Sequence, residues 1–433
     1  MTASAPLARL LGQARRLNAI AATDEGAFPE GSAPLVLVKD NIAVAGMPWT
    51  AGSPFFADVV ASRDAAAVRL LRMEGGCFPV KTTLHELAFG VTGANGWTGA
   101  IVNPHDRARV AGGSSGGSAA ALALGLGDLS LVTDTGGSAR VPAAFCGVTG
   151  FRPTTGRYPA DGMIALTPSR DTIGLMARDL RWIAWADTIL ADEPAGRAML
   201  PSRPLRIGIA QGEALGVLEP AVAEAYAELA DRLAGGGHAV VPVDLAPIFA
   251  LDEACGFAIA LYESHQSLLA SAPALTGRSF DDLLASVATP DVAHLLHLAS
   301  DGQAVPPAAY AGAIGHHWPA LQQAYARLFA DAVDLLLLPT TPVVAPPLDT
   351  GETLTLDGQD VPAFPTITRF TRPDSMAGLP SISLPYGVDR EGLPIGMMLV
   401  GPRNADRLVL AFARGVLELP GMPQTVAPHV SFP

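Results

Sequence analysis

Seven consecutive glycines and serines, Gly112 to Ser118, run straight into a small-residue helical stretch, Ala119 to Leu124. Such a segment belongs where backbones and ligands approach closely, because no side chain larger than a hydroxymethyl group projects from it and glycine tolerates dihedrals that other residues avoid. A second cluster, Asp134-Thr135-Gly136-Gly137-Ser138, has the same character, and both follow an apolar run closed by one lysine, Leu35-Val36-Leu37-Val38-Lys39. Taken together they read as a serine nucleophile, a second serine and a lysine base. Small neighbours let amide donors and substrate reach a hydroxyl, and a lysine fed out of a buried strand loses its proton at low cost.

The 433 residues exceed what one compact core usually needs, and a hydrophobic share of 49% against 16% charged residues supports a large buried interior. With 28 basic and 41 acidic residues the net charge is −13, without a basic patch, so nucleic acid and anionic membranes are poor partners. Cys77, Cys146 and Cys255 are scattered and lack CxxC spacing, as expected of reduced core cysteines in a cytoplasmic protein. Arg9, Arg15 and Arg16 among the leucines and alanines of residues 1–22 read as a short amphipathic helix, not a targeting signal. No apolar run approaches the ~20 residues of a spanning helix.

Strand and helix patterns alternate, which predicts an α/β fold with a large mixed, mostly parallel central sheet covered by helices on both faces. One unit is clear: strand 205–210, helix 220–234 and strand 239–243. Its helix lines up Val222, Tyr226, Leu229 and Leu233 on one face, with Pro220 near the start and Gly235-Gly236-Gly237 as the stop. A single domain over 1–433 is expected, with a catalytic core segment at 30–185, a helical cap or insertion at 250–330, and strands plus a final helix at 331–433 completing the core. Internal repeats and low-complexity tracts are not found.

Asn103-Pro104-His105-Asp106, Arg109, Gly112 to Ser118 and Thr133 to Gly147 resemble the defining segment of the amidase signature family. The likeness extends to Val38-Lys39-Asp40-Asn41, Lys81 to Glu86, Ala377-Gly378-Leu379-Pro380 and Gly392 to Gly396, which leaves only the helical region uncovered. Carried over residue by residue, the resemblance implies Ser138 as nucleophile, Ser114 as a bridging serine behind a cis peptide bond, and Lys39 as general base and acid. It also implies an oxyanion hole from the amides of Thr135, Gly136, Gly137 and Ser138. Ser115 is expected to position Lys39, and Asp134 and Arg140 to brace the loop. Asp40 should leave the site, since adjacent strand residues face opposite ways.

Other readings start from the same residues. Gly112-Gly113-Ser114-Ser115-Gly116 also fits the Gly-x-Ser-x-Gly elbow of α/β-hydrolases, with His238, His294 or His429 as partner, but that leaves the second cluster unexplained. A phosphate cradle lacks the Gly-Lys-Ser or Gly-Lys-Thr that should follow. His294 and His297 with His316-His317 suggest a metal only weakly, because no carboxylate or cysteine completes a familiar set. No metal and no cofactor is implied, since the chain supplies nucleophile, relay and donors.

The stretch Gly147 to Pro159, with Ser169-Arg170-Asp171-Thr172, is similar to the branch that contains indoleacetamide and mandelamide hydrolases. That implies a small-molecule amide substrate, aryl-substituted, in a pocket for which Ala88, Phe89, Trp97 and Ile164 are candidates. Carbamates, anilides and ureas are the alternative substrates. More distant readings are the amidase subunit of an amidotransferase and a binding protein that only retains the fold. Two departures stand out: Lys39 comes early, leaving an edge that a homodimer partner could cover, and Ser375-Met376-Ala377-Gly378 replaces the more usual Asn-Leu-Ala-Gly.

Overall fold

In the computed structural model, which describes residues 5–28, 31–193, 200–301, 305–422 and 426–428, thirteen strands follow one another along the chain. They are β1 (Ile20–Thr23), β2 (Leu35–Lys39), β3 (Cys77–Thr82), β4 (Leu129–Asp134), β5 (Thr149–Arg152), β6 (Thr172–Ala177), β7 (Arg206–Ala210), β8 (Ala239–Val243), β9 (Leu335–Pro339), β10 (Thr353–Leu356), β11 (Gln359–Pro362), β12 (Ser381–Val388) and β13 (Pro394–Val400). Strands β10 and β11 make a separate hairpin, and the other eleven form one sheet in the order β1-β3-β2-β4-β6-β5-β12-β13-β9-β7-β8. The sheet is mixed. Parallel pairings occupy two blocks, β3-β2-β4 and β9-β7-β8, where strand–helix–strand units are clearest in the sequence, and antiparallel pairings join the blocks through the middle.

Strand β2 is buried along its whole length, which explains why it reads as a continuous apolar run and not as an alternation. Val36 and Val38 pack on one face of the sheet with Leu71, Leu180 and Val409. Leu35 and Leu37 pack on the other, with Leu11, Ala119 and Leu122. Each such side chain contributes about 1.5–3 kcal/mol when fully buried. The alternation also decides where the next two residues go: Lys39 continues the Leu35–Leu37 face, and Asp40 continues the opposite one.

On the Lys39 face lie the N-terminal helix Ala5–Arg16, the helix Gly116–Ala123 and the helix Arg140–Cys146. A Cβ on Gly117 would come within 2.7 Å of Thr83 Oγ1, Thr83 O and Ala19 O, so the helix that opens behind the first cluster is seated against the sheet only because that position is bare. The helices Ala66–Met73, Leu180–Leu190, Pro220–Gly235 and Asp406–Leu417 cover the other face. The helical region begins with Ala246–Thr276, 31 residues long, and continues through Phe280–Ser286 and Pro290–Ser300. No described helix is long and apolar enough to cross a membrane.

Candidate active site

Strands β2 and β4 run parallel, so both end at the same edge of the sheet, where loops leaving strand C-termini commonly build binding sites. Lys39 closes β2, and Asp134 closes β4 and leads into Thr135-Gly136-Gly137-Ser138. The first cluster supplies Ser114 two residues before the helix Gly116–Ala123, and the Gly113–Ser114 peptide is cis. Lys39 Nζ donates to Ser114 Oγ at 2.7 Å and to Thr133 Oγ1 at 2.8 Å, and Ser114 Oγ donates to Ser138 Oγ at 2.9 Å. Lys39 and Ser114 are fully buried and Ser138 is 9% exposed, so the chain of groups runs from the interior to the floor of a cavity.

Burial pushes the Lys39 amine down to about 7, against the opposing pull of the Asp134 and Asp171 carboxylates. Asp40 does not enter that balance. Its carboxylate pairs with Lys81 Nζ at 2.9 Å on the far face and accepts from Thr50. The amine therefore exchanges its proton near neutrality and stands within transfer distance of a hydroxyl that touches a second one. Hydroxyls donate or accept as their rotors turn, so the same contacts can pass a proton in either direction between Ser138 and Lys39.

The loop that carries Ser138 is braced by charge. Asp134 accepts from the amides of Gly137 at 2.8 Å and Ala139 at 3.0 Å, and from Arg140 Nε at 3.0 Å. Arg140 reaches on to Asp374 at 2.7 Å and to Ser375 Oγ at 2.6 Å, and Arg152 Nη1 donates to Asp134 Oδ1 at 3.3 Å. The two arginines hold the Asp134 carboxyl far below the usual range despite its burial. Removing one partner of such a buried pair costs about 3–5 kcal/mol. Ser375, the departure from the more usual asparagine, is thus a seat for Arg140.

Several expected placements differ. Ser115 Oγ points to the Thr133 carbonyl at 3.4 Å, and the hydroxyl that touches Lys39 beside Ser114 is that of Thr133. The Gly137 amide is engaged by Asp134, which leaves Thr135, Gly136 and Ser138 as the loop amides without an acceptor among the described residues. Ala88 and Phe89 line the cavity with Ser138. Trp97 does not: its amide donates to Asn95 Oδ1 at 2.9 Å in a turn, and the residue, 42% exposed, lines a separate, smaller depression with Asp40 and Thr50. Ile164 packs behind the wall with Leu87, Phe89 and Leu166, because its amide is tied to Asn41 O at 2.9 Å.

The cavity measures about 570 Å³. Its far wall comes from the helical region through Phe257, Leu261 and Leu295, alongside Leu166, Thr167 and Arg170. The isolated β-hairpin neighbours a further stretch of wall at Phe364. Among the histidines, His294 lines the cavity, and His297 Nδ1 contacts Ala293 O at 2.7 Å on its own helix. His238 Nδ1 accepts from the Leu205 amide at 3.2 Å, and His429 lies outside the described residues. Among the described residues no histidine ring bonds the Ser114 hydroxyl, whose partners are Lys39 and Ser138. Among those residues, too, no group of three or more His, Cys, Asp or Glu side chains is placed to hold a metal ion. Cys146 is buried, its thiol pushed up by desolvation.

The family model described as Amidase matches residues 13–410. An indoleacetamide hydrolase of Agrobacterium vitis is 35% identical over 414 residues, covering 92% of this chain and 89% of that protein. A mandelamide hydrolase of Pseudomonas putida is 35% identical over 417 residues, covering 91% and 79%. Among solved structures, one titled as an amidase superposes with a TM-score of 0.81 at 33% identity, covering 96% of both chains. A peptide amidase in complex with the competitive inhibitor chymostatin gives 0.79 at 28%, covering 97% and 94%. The chain belongs to the amidase signature family and hydrolyses amide C–N bonds.

Proposed function

We propose that the protein cleaves small, aryl-substituted carboxamides to a carboxylic acid and ammonia through an acyl-enzyme on Ser138. The observation that carries the mechanism is the unbroken contact Ser138–Ser114–Lys39, ending on an amine that burial has brought to about 7. A serine hydroxyl is a weak nucleophile until a base takes its proton. Neutral Lys39 accepts the Ser114 proton while Ser114 accepts that of Ser138, and the Ser138 oxygen bonds to the amide carbon. The carbonyl electrons move onto oxygen, and the free amides of Thr135, Gly136 and Ser138 donate hydrogen bonds to the resulting oxyanion. Each such donor is typically worth roughly 10²–10³ in rate.

Collapse of this intermediate breaks the C–N bond. The proton stored on Lys39 returns through Ser114 to the departing nitrogen, leaving ammonia and an ester on Ser138. Water then enters along the same path, gives its proton to the relay and releases the acid. Burial suits both halves of the cycle, because Lys39 must be neutral to begin and charged in between.

Two observations support an aryl acyl group. Apolar side chains, Phe89, Leu166, Leu261 and Leu295, wall the cavity that reaches Ser138, and relatives 35% identical over nine-tenths of the chain are named for indoleacetamide and mandelamide. The test is a panel of aryl acetamides, anilides and carbamates scored by kcat/KM. The highest values are expected for primary aryl acetamides, and turnover confined to carbamates or anilides would overturn the substrate assignment.

A further inference from the structure

The cavity contains one charged side chain that the fold leaves almost unsatisfied. Arg170 lines the space that opens on Ser138, yet is only 6% exposed. Among the described residues its guanidinium bonds only the Met376 sulfur, at 3.5 Å, and its Nε has no partner. A thioether is a weak acceptor, and a guanidinium has five N–H groups to place. Leaving a buried donor unmatched is costly, and more so when it is charged.

The surrounding contacts hold this side chain where it is. The Arg170 amide donates to Thr167 O at 3.0 Å, and its carbonyl accepts from Arg152 Nη2 at 2.9 Å. On one side Ser169 N donates to Glu263 Oε2 at 2.9 Å. On the other, Asp171 Oδ2 accepts from the amides of Leu166 at 2.7 Å and Thr167 at 2.8 Å. The loop is therefore pinned at both flanks, so the guanidinium cannot leave for solvent by loop movement without breaking these bonds. Three carboxylates, Asp252, Asp171 and Glu263, act on the guanidinium through space, none of them bonded to it among the described residues: Asp252 Oδ2 is engaged by a different arginine, Arg372 Nε, at 2.6 Å, Asp171 Oδ1 accepts from Thr135, and Glu263 Oε1 accepts from Tyr310 at 3.1 Å. Thr167 Oγ1 and Asp252 Oδ1, on two other residues lining the cavity, are also buried without a partner among the described residues.

We propose that Arg170 is a specificity-determining residue that donates hydrogen bonds to an oxygen acceptor on the acyl group of the substrate. The preferred amides then combine a ring, received by Phe89, Leu261 and Leu295, with a hydroxyl, ether, carbonyl or carboxylate oxygen. This assignment rests on the amidase reading of the same cavity. An acyl group without such an oxygen leaves the guanidinium desolvated and unmatched in the complex. One that carries it gains a charge-assisted bond, about tenfold to a hundredfold in discrimination. A site built around a polar contact rejects the analogue that lacks it more strongly than a greasy pocket rejects an extra methylene.

The test compares matched pairs: mandelamide and the monoamide of phenylmalonic acid, each against phenylacetamide, in the parent, Arg170→Met and Arg170→Gln, with thermal melts to confirm folding. The parent is expected to favour at least one oxygen-bearing member in kcat/KM by tenfold or more, and that ratio should fall by at least tenfold in either folded variant. A parent without such a preference, or a ratio unaltered by the substitutions, would overturn the assignment. Mandelate and phenylacetate binding to Ser138→Ala, with and without Arg170→Met, supplies the same ratio without turnover. Arg170-dependent binding in a parent that hydrolyses no amide would sink the amidase reading while upholding the role of Arg170.

Discussion

Thr133 Oγ1 lies 2.8 Å from Lys39 Nζ, so the buried amine is held between two hydroxyls, one of them outside the serine pair. Asn41 Nδ2 donates to the same Thr133 oxygen at 3.1 Å, which fixes the rotamer of the threonine. Thr133 is a positioning residue: it aims the amine at Ser114 and favours its charged form by accepting from it. Thr133→Val, nearly the same shape without the hydroxyl, should lower kcat about tenfold, the scale of one neutral-to-charged hydrogen bond. It should also move the acidic limb of the kcat/KM profile to lower pH. An unshifted limb with an undiminished rate would remove Thr133 from the relay.

Lys39 also sets a pH dependence of stability. Its folded pKa of about 7 lies below the 10.5 of an unperturbed lysine, so between these values the unfolded chain holds the extra proton. Stability contributed by this group therefore rises with pH from about 7 to about 10.5, and below that window the folded protein bears the full cost of burying the charge. Lys39→Met, which carries no charge to bury, should melt higher relative to the parent at pH 6 than at pH 9, while losing acylation. A difference in melting temperature that is flat between these pH values would contradict the burial of a titrating amine.

Gly137 has φ +128, and a Cβ there would stand 2.4 Å from Thr371 Oγ1 and 2.9 Å from Thr371 Cβ. Both the backbone angle and the neighbour exclude a side chain, and the Gly137 amide is the one that Asp134 holds. Gly137→Ala should shift the loop and with it Ser138, cutting kcat/KM by roughly 10² or more, the order seen when one oxyanion donor is misplaced. KM is expected to change far less, since the apolar wall stands apart from this loop. A KM effect as large as the kcat effect would show that the loop serves binding instead.

What the sequence made legible follows from how each part is encoded. Strand β2 and the two glycine-serine clusters are local signals, and the Lys39 and Asp40 side chains go to opposite faces as strand alternation requires. Thr133 was invisible because its role depends on a contact with a residue 94 positions earlier, and nothing about a threonine near a strand end marks it. Trp97 misled because a large aromatic near a motif looks like pocket lining, whereas the Asn95 side chain turns its backbone outward. The cavity wall from the helical region had no clear pattern to read. The helix Ala246–Thr276 buries Ile248, Phe249 and Ile259 in one apolar cluster and Leu261, Leu268 and Ala272 in another, while Phe257 and Leu261 face the cavity, so its apolar residues do not keep to one stripe. Arg170 stands out in the sequence only as part of a motif, since its lack of bonded partners is a property of the folded cavity.

The mechanism stands on an uncharged, buried Lys39 that activates Ser138 through Ser114. Its most direct measurement is the rate of covalent labelling by a fluorophosphonate probe as a function of pH, with the modified residue located by peptide mass analysis. A single label is expected on Ser138, with a rate that climbs with pH and levels off above about 7, and labelling should be lost in folded Lys39→Ala and Ser114→Ala. A label on another residue, or undiminished labelling of Ser138 without Lys39, would contradict it.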